Sequence, residues 1–210
     1  MREVLSMDKT PAVAKEISLD VVVDTMDNII GNLMNNEVVG AMPYMKSLIG
    51  VFKVYRSYHD LRLLEKLSAF FEECKNLDVD DVNKFMNSQN EENIGKIFTD
   101  YIDRMDCDEK CVLMGKIYKL MIDERWTAES FYRIASTIRN CFYSDLVELK
   151  KFPIDDRLTD DGKIVESEVV QDLFVNGLLI DCGPDGGDLN EEGGEQYMVN
   201  KYGELIARVI

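Results

Sequence analysis

The sequence predicts a mainly α-helical protein, a multi-helix bundle ending in an element that carries a short β-hairpin. Three observations predict it. Apolar residues recur at three- and four-residue steps through most of the chain, the period that lines up one face of a helix. Only four prolines interrupt 210 residues, and most of the 13 glycines fall between Gly177 and Gly203, so structure breakers are scarce before the tail. In that tail, two short apolar runs flank a glycine- and aspartate-rich stretch, the pattern of a hairpin.

Taken in order, Thr10-Pro11 is a helix start, with Thr as cap and Pro preorganised at the first helical position. Val13, Ile17, Val21, Ile29, Ile30 and Leu33 continue the stripe until Asn35-Asn36 ends it. Pro43 opens a second helix after a turn at Gly40. That helix runs on, with a break near Tyr58-His59-Asp60, into Leu63, Leu64, Leu67, Phe70, Phe71 and Cys74. Asp78 caps a short helix over 78–90. Ile94, Ile97, Phe98, Tyr101, Ile102 and Met105 mark the next. Asp106 or Asp108 caps the one after, with Val112, Leu113, Ile117, Leu120 and Met121 inward. From Trp126-Thr127, the residues Phe131, Ile134, Ala135, Ile138, Phe142, Leu146 and Leu149 predict one helix of five turns. The segment KFPIDDRLTDDGK reads as a linker or exposed loop. A helix over SEVVQDLFVNGLL stops near Asn176-Gly177, and two strands and a last helix capped by Asn200 follow. The predicted organisation is a helical body over 1–151, a linker over 152–166 and a C-terminal element over 167–210.

Charge divides the chain differently. The net charge is −16; residues 1–70 hold 8 Lys/Arg against 9 Asp/Glu, and residues 71–210 hold 16 against 31. A strongly anionic C-terminal two-thirds opposes a grip on nucleic acid and suits a cationic protein partner. With Arg2, Glu3, Asp8 and Lys9 in its first residues, the chain shows no apolar run that reads as a secretory signal. No uncharged stretch around residues 28–52 approaches the about 20 residues a bilayer span needs. Five cysteines read as reduced thiols in a cytoplasmic protein.

The order in 167–210 is helix, Asn176-Gly177-Leu178-Leu179, strand, glycine-rich turn, strand with Tyr197, then Tyr202-Gly203-Glu204-Leu205-Ile206. It resembles the back half of a winged-helix domain. In DNA-binding members of that superfamily, the helix before the hairpin enters the major groove and the wing touches phosphate. Here that helix carries Glu168 and Asp172 and no Lys or Arg. The wing carries Asp181, Asp185, Asp188, Glu191, Glu192 and Glu195, again with no base, so the surface repels phosphate and points to protein contact. The segment Pro43…Gly50…Lys53 with Leu64-Glu65-Lys66-Leu67…Phe70 resembles uncharacterised helical proteins of bacteria and their prophages, a setting that implies a role in phage–host conflict.

Catalytic and metal chemistry find little support in the sequence. His59 is the single histidine; a dyad with a cysteine is one reading, and an exposed helix-end residue is the other. Cys107 and Cys111 share a helix face, but a tetrahedral zinc site needs two more ligands. The helix N-terminus is a reason to expect a lowered thiol pKa at either. Asp103, Asp106, Asp108 and Glu109 lack the spacing and glycine of a calcium loop. No phosphate loop, nucleophile elbow or HExxH pattern is present. The apolar segment Val38–Phe52 has two readings, a central buried hairpin or a surface that meets a membrane or an apolar partner.

The expectation is therefore a non-enzymatic interaction or regulatory module, with no cofactor. It binds a protein with a basic patch through Asp185, Asp188, Glu191 and Glu192 and the neighbouring helix. The alternatives are an acidic nucleic-acid mimic that inhibits a DNA-binding enzyme, or a membrane-active effector using the 38–52 hairpin. A DNA-binding regulator stands last.

Overall fold

The structure, a computed structural model, describes residues 19–53, 57–87, 91–153, 156–159, 164–184, 186 and 194–210. The Thr10-Pro11 helix start lies outside them. The described residues form α1 (Leu19–Met34), α2 (Glu37–Gly40), α3 (Pro43–Phe52), α4 (Tyr58–Cys74), α5 (Val79–Asn87), α6 (Glu91–Asp103), α7 (Asp108–Asp123), α8 (Ala128–Asn140) and α9 (Tyr143–Glu148). A 3₁₀ turn follows over Leu149–Lys151, then β1 (Leu158–Thr159), α10 (Ser167–Val175), β2 (Leu179–Pro184), β3 (Glu195–Val199) and α11 (Lys201–Val209). The fold is mainly α with one small antiparallel sheet.

Side chains that take up free backbone N–H groups explain several helix starts. Asn36 Oδ1 accepts from Val38 N at 2.9 Å, while Asn36 Nδ2 donates to Phe71 O at 3.2 Å and ties α2 to α4. At α4, Ser57 Oγ accepts from Asp60 N at 3.2 Å and Asp60 Oδ2 accepts from Ser57 N at 2.9 Å. That reciprocal pair fixes the start of α4 at Tyr58, so α3 and α4 are separate helices. Asp78 caps α5 by accepting from Asp80 N at 2.8 Å, and Thr127 caps α8 by accepting from Ser130 N at 3.2 Å. Neither Asp106 nor Asp108 caps α7. The cap residue is Cys107, with no side-chain hydrogen bond, because the Asp106 carboxylate is held by Lys110 instead.

The core is organised around α4 and α7. They cross closely at Gly115, where an added Cβ would lie 2.6 Å from Phe70 O and 2.8 Å from Glu73 Cβ. Aromatic rings fill the space around that crossing. Phe70 meets Phe98 at 4.6 Å and Phe71 at 5.1 Å between centroids, and Tyr118 meets Phe85 and Phe131 at 5.4 Å each. Such edge and tilted contacts add to the burial of large rings. Tyr118 and Tyr132 have hydroxyls that are buried without a hydrogen-bond partner, and both residues line a cavity of about 10 Å³. In the 38–52 segment, Val38, Val39, Met42, Met45, Ile49 and Phe52 are buried and only Val51 is exposed among its large apolar residues. This is the central-hairpin arrangement. Among the described residues, no helix is long and apolar enough to cross a membrane.

The five-turn helix expected from Trp126 onward is broken. α8 stops at Asn140, Cys141 adopts ψ 152°, and Phe142 becomes the extended residue before α9. The period carries through the break because Ile138, Leu146 and Leu149 are all buried; Phe142 is instead 68% exposed. The bend lets Cys141 turn inward while α9 lies against α10.

The C-terminal element is locked by its turns. α10 ends at Gly177, whose φ of +76° an L side chain tolerates poorly. Leu178 N then bonds Leu173 O at 2.9 Å, closing the helix in a Schellman pattern. β2 pairs with β3 from Leu179↔Val199 to Pro184↔Glu195, with an irregularity between Asp181 and Gly183. The segment expected to be a linker supplies a third strand: β1 pairs with the other side of β3, Leu158 opposite Tyr197, in the order β1-β3-β2. Sequence missed it because two residues show no alternation. Asn200 caps α11 by accepting from Tyr202 N at 2.9 Å, and its Nδ2 reaches Gly177 O at 2.7 Å. α11 packs on α7, with Lys116 Nζ donating to Val209 O at 3.2 Å. Arg208 also forks onto Glu124 at 2.9 and 3.2 Å. Leu173, Leu178, Leu205 and Ile206 belong to the same apolar cluster as Phe70.

Candidate functional site

Asp185, Asp188, Glu191 and Glu192, the contact residues nominated by sequence, lie outside the described residues. Their described surroundings are acidic and open. Glu166 and Glu168 at the start of α10, Asp181 on β2 and Glu195 on β3 are all exposed. None forms an ion pair with a described residue. In the body several surface acids are matched, Glu65 with Arg62 at 2.6 Å, Asp81 with Lys84 at 2.7 Å, Asp100 with Arg104 at 3.0 Å, Glu129 with Arg133 at 2.7 Å and Glu124 with Arg208 at 2.9 Å, while exposed Asp24, Glu37, Asp80, Glu109 and Asp123 form no ion pair with a described residue. Such exposed pairs stabilise little individually, but they neutralise the field that unpaired carboxylates project.

Beside this surface, α7, α8, α9 and α10 meet around a polar joint. Lys110, in the first turn of α7, is 1% exposed. Its ammonium lies 2.8 Å from Asp106 Oδ1 and 3.4 Å from Arg139 O at the end of α8, where the helix dipole favours a cation. Burial opposes ionisation of Asp106, yet the Lys110 ammonium outweighs it and holds that carboxyl below its usual range. Across the joint, Asp172 Oδ1 accepts from Asn176 Nδ2 at 3.1 Å, and Asp172 Oδ2 is buried with no partner meeting hydrogen-bond geometry. Burial, and then repulsion from Asp145, raise the Asp172 pKa. Burial, and next the Asp172 charge, push the Cys141 thiol up to about 12. Thr137 Oγ1 donates to Asn176 O at 3.1 Å and pins the end of α10 to α8. Just outside the joint are two exposed apolar side chains, Phe142 at 68% and Val175 at 77%.

The His59 side chain is 72% exposed and 3.5 Å from Asp103, a helix-end pairing with no thiol in it. Burial pushes the Cys107 and Cys111 thiols up, Cys111 to about 12. This overturns the expectation of lowered values: desolvation exceeds what the helix N-terminus supplies. Among the described residues, no group of three or more His, Cys, Asp or Glu is placed to hold a metal ion. A groove of about 460 Å³ between α3, α4 and α6 is lined by Tyr44, Leu63, Lys96, Ile97, Thr99, Asp100 and Asp103. It is open and mixed in character.

Comparison of the chain with known protein families, with curated proteins and with solved structures finds no match. The geometry therefore carries the functional reading alone. Sequence reasoning missed the Lys110 joint, although one signal was present: Asp106 and Lys110 stand four apart, the spacing of a helical ion pair. It also missed Phe142 and Val175, because both fit the helical period of the apolar residues around them.

Proposed function

We propose that this protein is a non-catalytic interaction module that captures a protein partner bearing a basic patch, through the acidic C-terminal surface of α10, the hairpin and its Asp185–Glu192 turn. The observation that supports this reading is that Glu166 and Glu168 on α10, Asp181 on β2 and Glu195 on β3 stand exposed without a cation among the described residues. Unpaired carboxylates on one face steer a cationic partner towards it and make association salt-sensitive. The same charges repel phosphate. The order α10, β2, β3, α11, with β1 on the outer edge of β3, supports reading 167–210 as a winged-helix-like element turned from nucleic acid to protein.

The test is affinity capture from the native host at about 50 and about 500 mM salt, with wild type beside E166K/E168K and E191K/E192K. A partner retained by wild type at low salt, and released by high salt and by charge reversal, is the expected result. Capture indifferent to both reversals would remove the acidic surface from the account. Duplex DNA retained at low salt would replace it with a nucleic-acid role.

A further inference from the structure

The bend between α8 and α9 is held by a side chain from outside it. Between Trp126 and Phe152 the sequence has no glycine or proline, the residues that most often interrupt a helix. Phe142, the N-cap of α9, makes no side-chain capping bond. Ile138, Phe142 and Leu146 stand four apart, so a continuous helix would place Phe142 on the buried stripe; in the bent chain it is 68% exposed. Local sequence favours one helix, and the fold contains two.

The difference lies at one carbonyl. In a continuous helix Arg139 O accepts from Tyr143 N, four residues on. Cys141 (φ −77°, ψ 152°) and Phe142 (φ −67°, ψ 143°) are both extended, which carries Tyr143 N out of reach. Lys110 Nζ, from α7, takes its place 3.4 Å from Arg139 O. A side chain inserted into the helical ladder is an established cause of a break. Asp106 Oδ1 holds that ammonium at 2.8 Å, and the Asp106 side chain is 61% exposed while that of Lys110 is 1% exposed. The pair is buried at the carbonyl end and open to solvent at the carboxylate end.

We propose that the Asp106–Lys110 pair is the clamp of a conformational hinge. With Lys110 on Arg139 O, the chain bends at Cys141–Phe142; with Lys110 withdrawn, α8 and α9 join as one helix and Phe142 turns inward. Cys141 adjoins Asp172 and α9 packs on α10, so straightening also displaces α10, which carries Glu168. The hinge stands independently of the acidic-surface reading.

The test is K110M, read by backbone ¹³Cα shifts and amide hydrogen exchange. Met matches Lys in length, and exchanging a buried ion pair for apolar packing is often neutral or stabilising, so K110M is expected to keep cooperative unfolding. The Cys141 and Phe142 shifts are expected to move from the extended to the helical range, with slower exchange at Tyr143 N–H and shifted amides in α10. In K110M/Y143P the proline suits the first turn of α9 but forbids a continuous helix, and the extended values are expected to return. Extended values at Cys141 and Phe142 in folded K110M overturn the clamp. Helical values that persist in K110M/Y143P overturn the hinge, and unmoved α10 amides overturn its reach to the acidic surface. If K110M loses cooperative unfolding, D106N decides: displacement of the same two shifts towards helical values supports the clamp, and wild-type values overturn it.

Discussion

Replacing Gly115 with alanine tests whether the α4–α7 crossing sets the whole bundle. The new Cβ would stand 2.6 Å from Phe70 O and 2.8 Å from Glu73 Cβ. A carbon and a carbonyl oxygen need more than 3 Å, so the helices must part by roughly half an ångström or more where interiors pack like crystals. Overpacking of this kind costs about 1–3 kcal/mol. Exchanging glycine for alanine within a helix returns about 1 kcal/mol, so the raw change understates the clash. Gly31 supplies the reference: it lies within α1, and a Cβ there meets nothing within 4 Å. G31A is expected to gain up to about 1 kcal/mol. The gap between the variants therefore isolates the steric cost, about 1–3 kcal/mol. Urea unfolding followed by circular dichroism measures both on one scale. Equal midpoints for G115A and G31A would refute the close crossing.

Three further outcomes follow from buried groups. Asp172 has a raised pKa in the folded protein, so its neutral form favours folding and that stability is lost as pH rises through its titration; the melting temperature of D172N relative to wild type is therefore expected to rise between pH 3 and pH 7, and a pH-independent difference would contradict it. Y118F removes a buried hydroxyl that has no partner, so it is expected to be neutral or to stabilise by up to about 1 kcal/mol; a clear loss in urea unfolding would show that the hydroxyl is hydrogen-bonded. In iodoacetamide labelling of the native protein, Cys107 and Cys182 are expected to react ahead of the buried Cys74, Cys111 and Cys141, whose thiols burial pushes up. Mass spectrometry showing Cys141 modified first would place that joint at the surface.

The helical body was legible because its signals are local and redundant. Asp78, Thr127 and Asn200 announce their helices by type and position, and the Leu63–Cys74 stripe can be built only one way. The break at Cys141 was not legible, since Ile138, Leu146 and Leu149 keep helical phase across a bend that tertiary packing imposes. β1 was hidden for a related reason: two residues, Leu158 and Thr159, become a strand only because β3 offers an edge. At the candidate surface, sequence located the acid but not all of its pairing: Glu129 and Arg133 are four apart on one helix and legible, whereas Glu124 meets Arg208 only because α11 packs on α7. Lys110 was concealed because a lysine is ordinarily a surface residue, and only the joint of α7 with α8 shows it enclosed.

Zero-length carbodiimide coupling in the presence of the captured partner tests the central claim most directly, since it joins only carboxylates that touch a lysine. Coupling concentrated at Glu166, Glu168 and residues 185–195, and abolished by high salt, is the outcome this account predicts. Partner lysines joined instead to acids of the helical body, with 166–195 untouched, would contradict it.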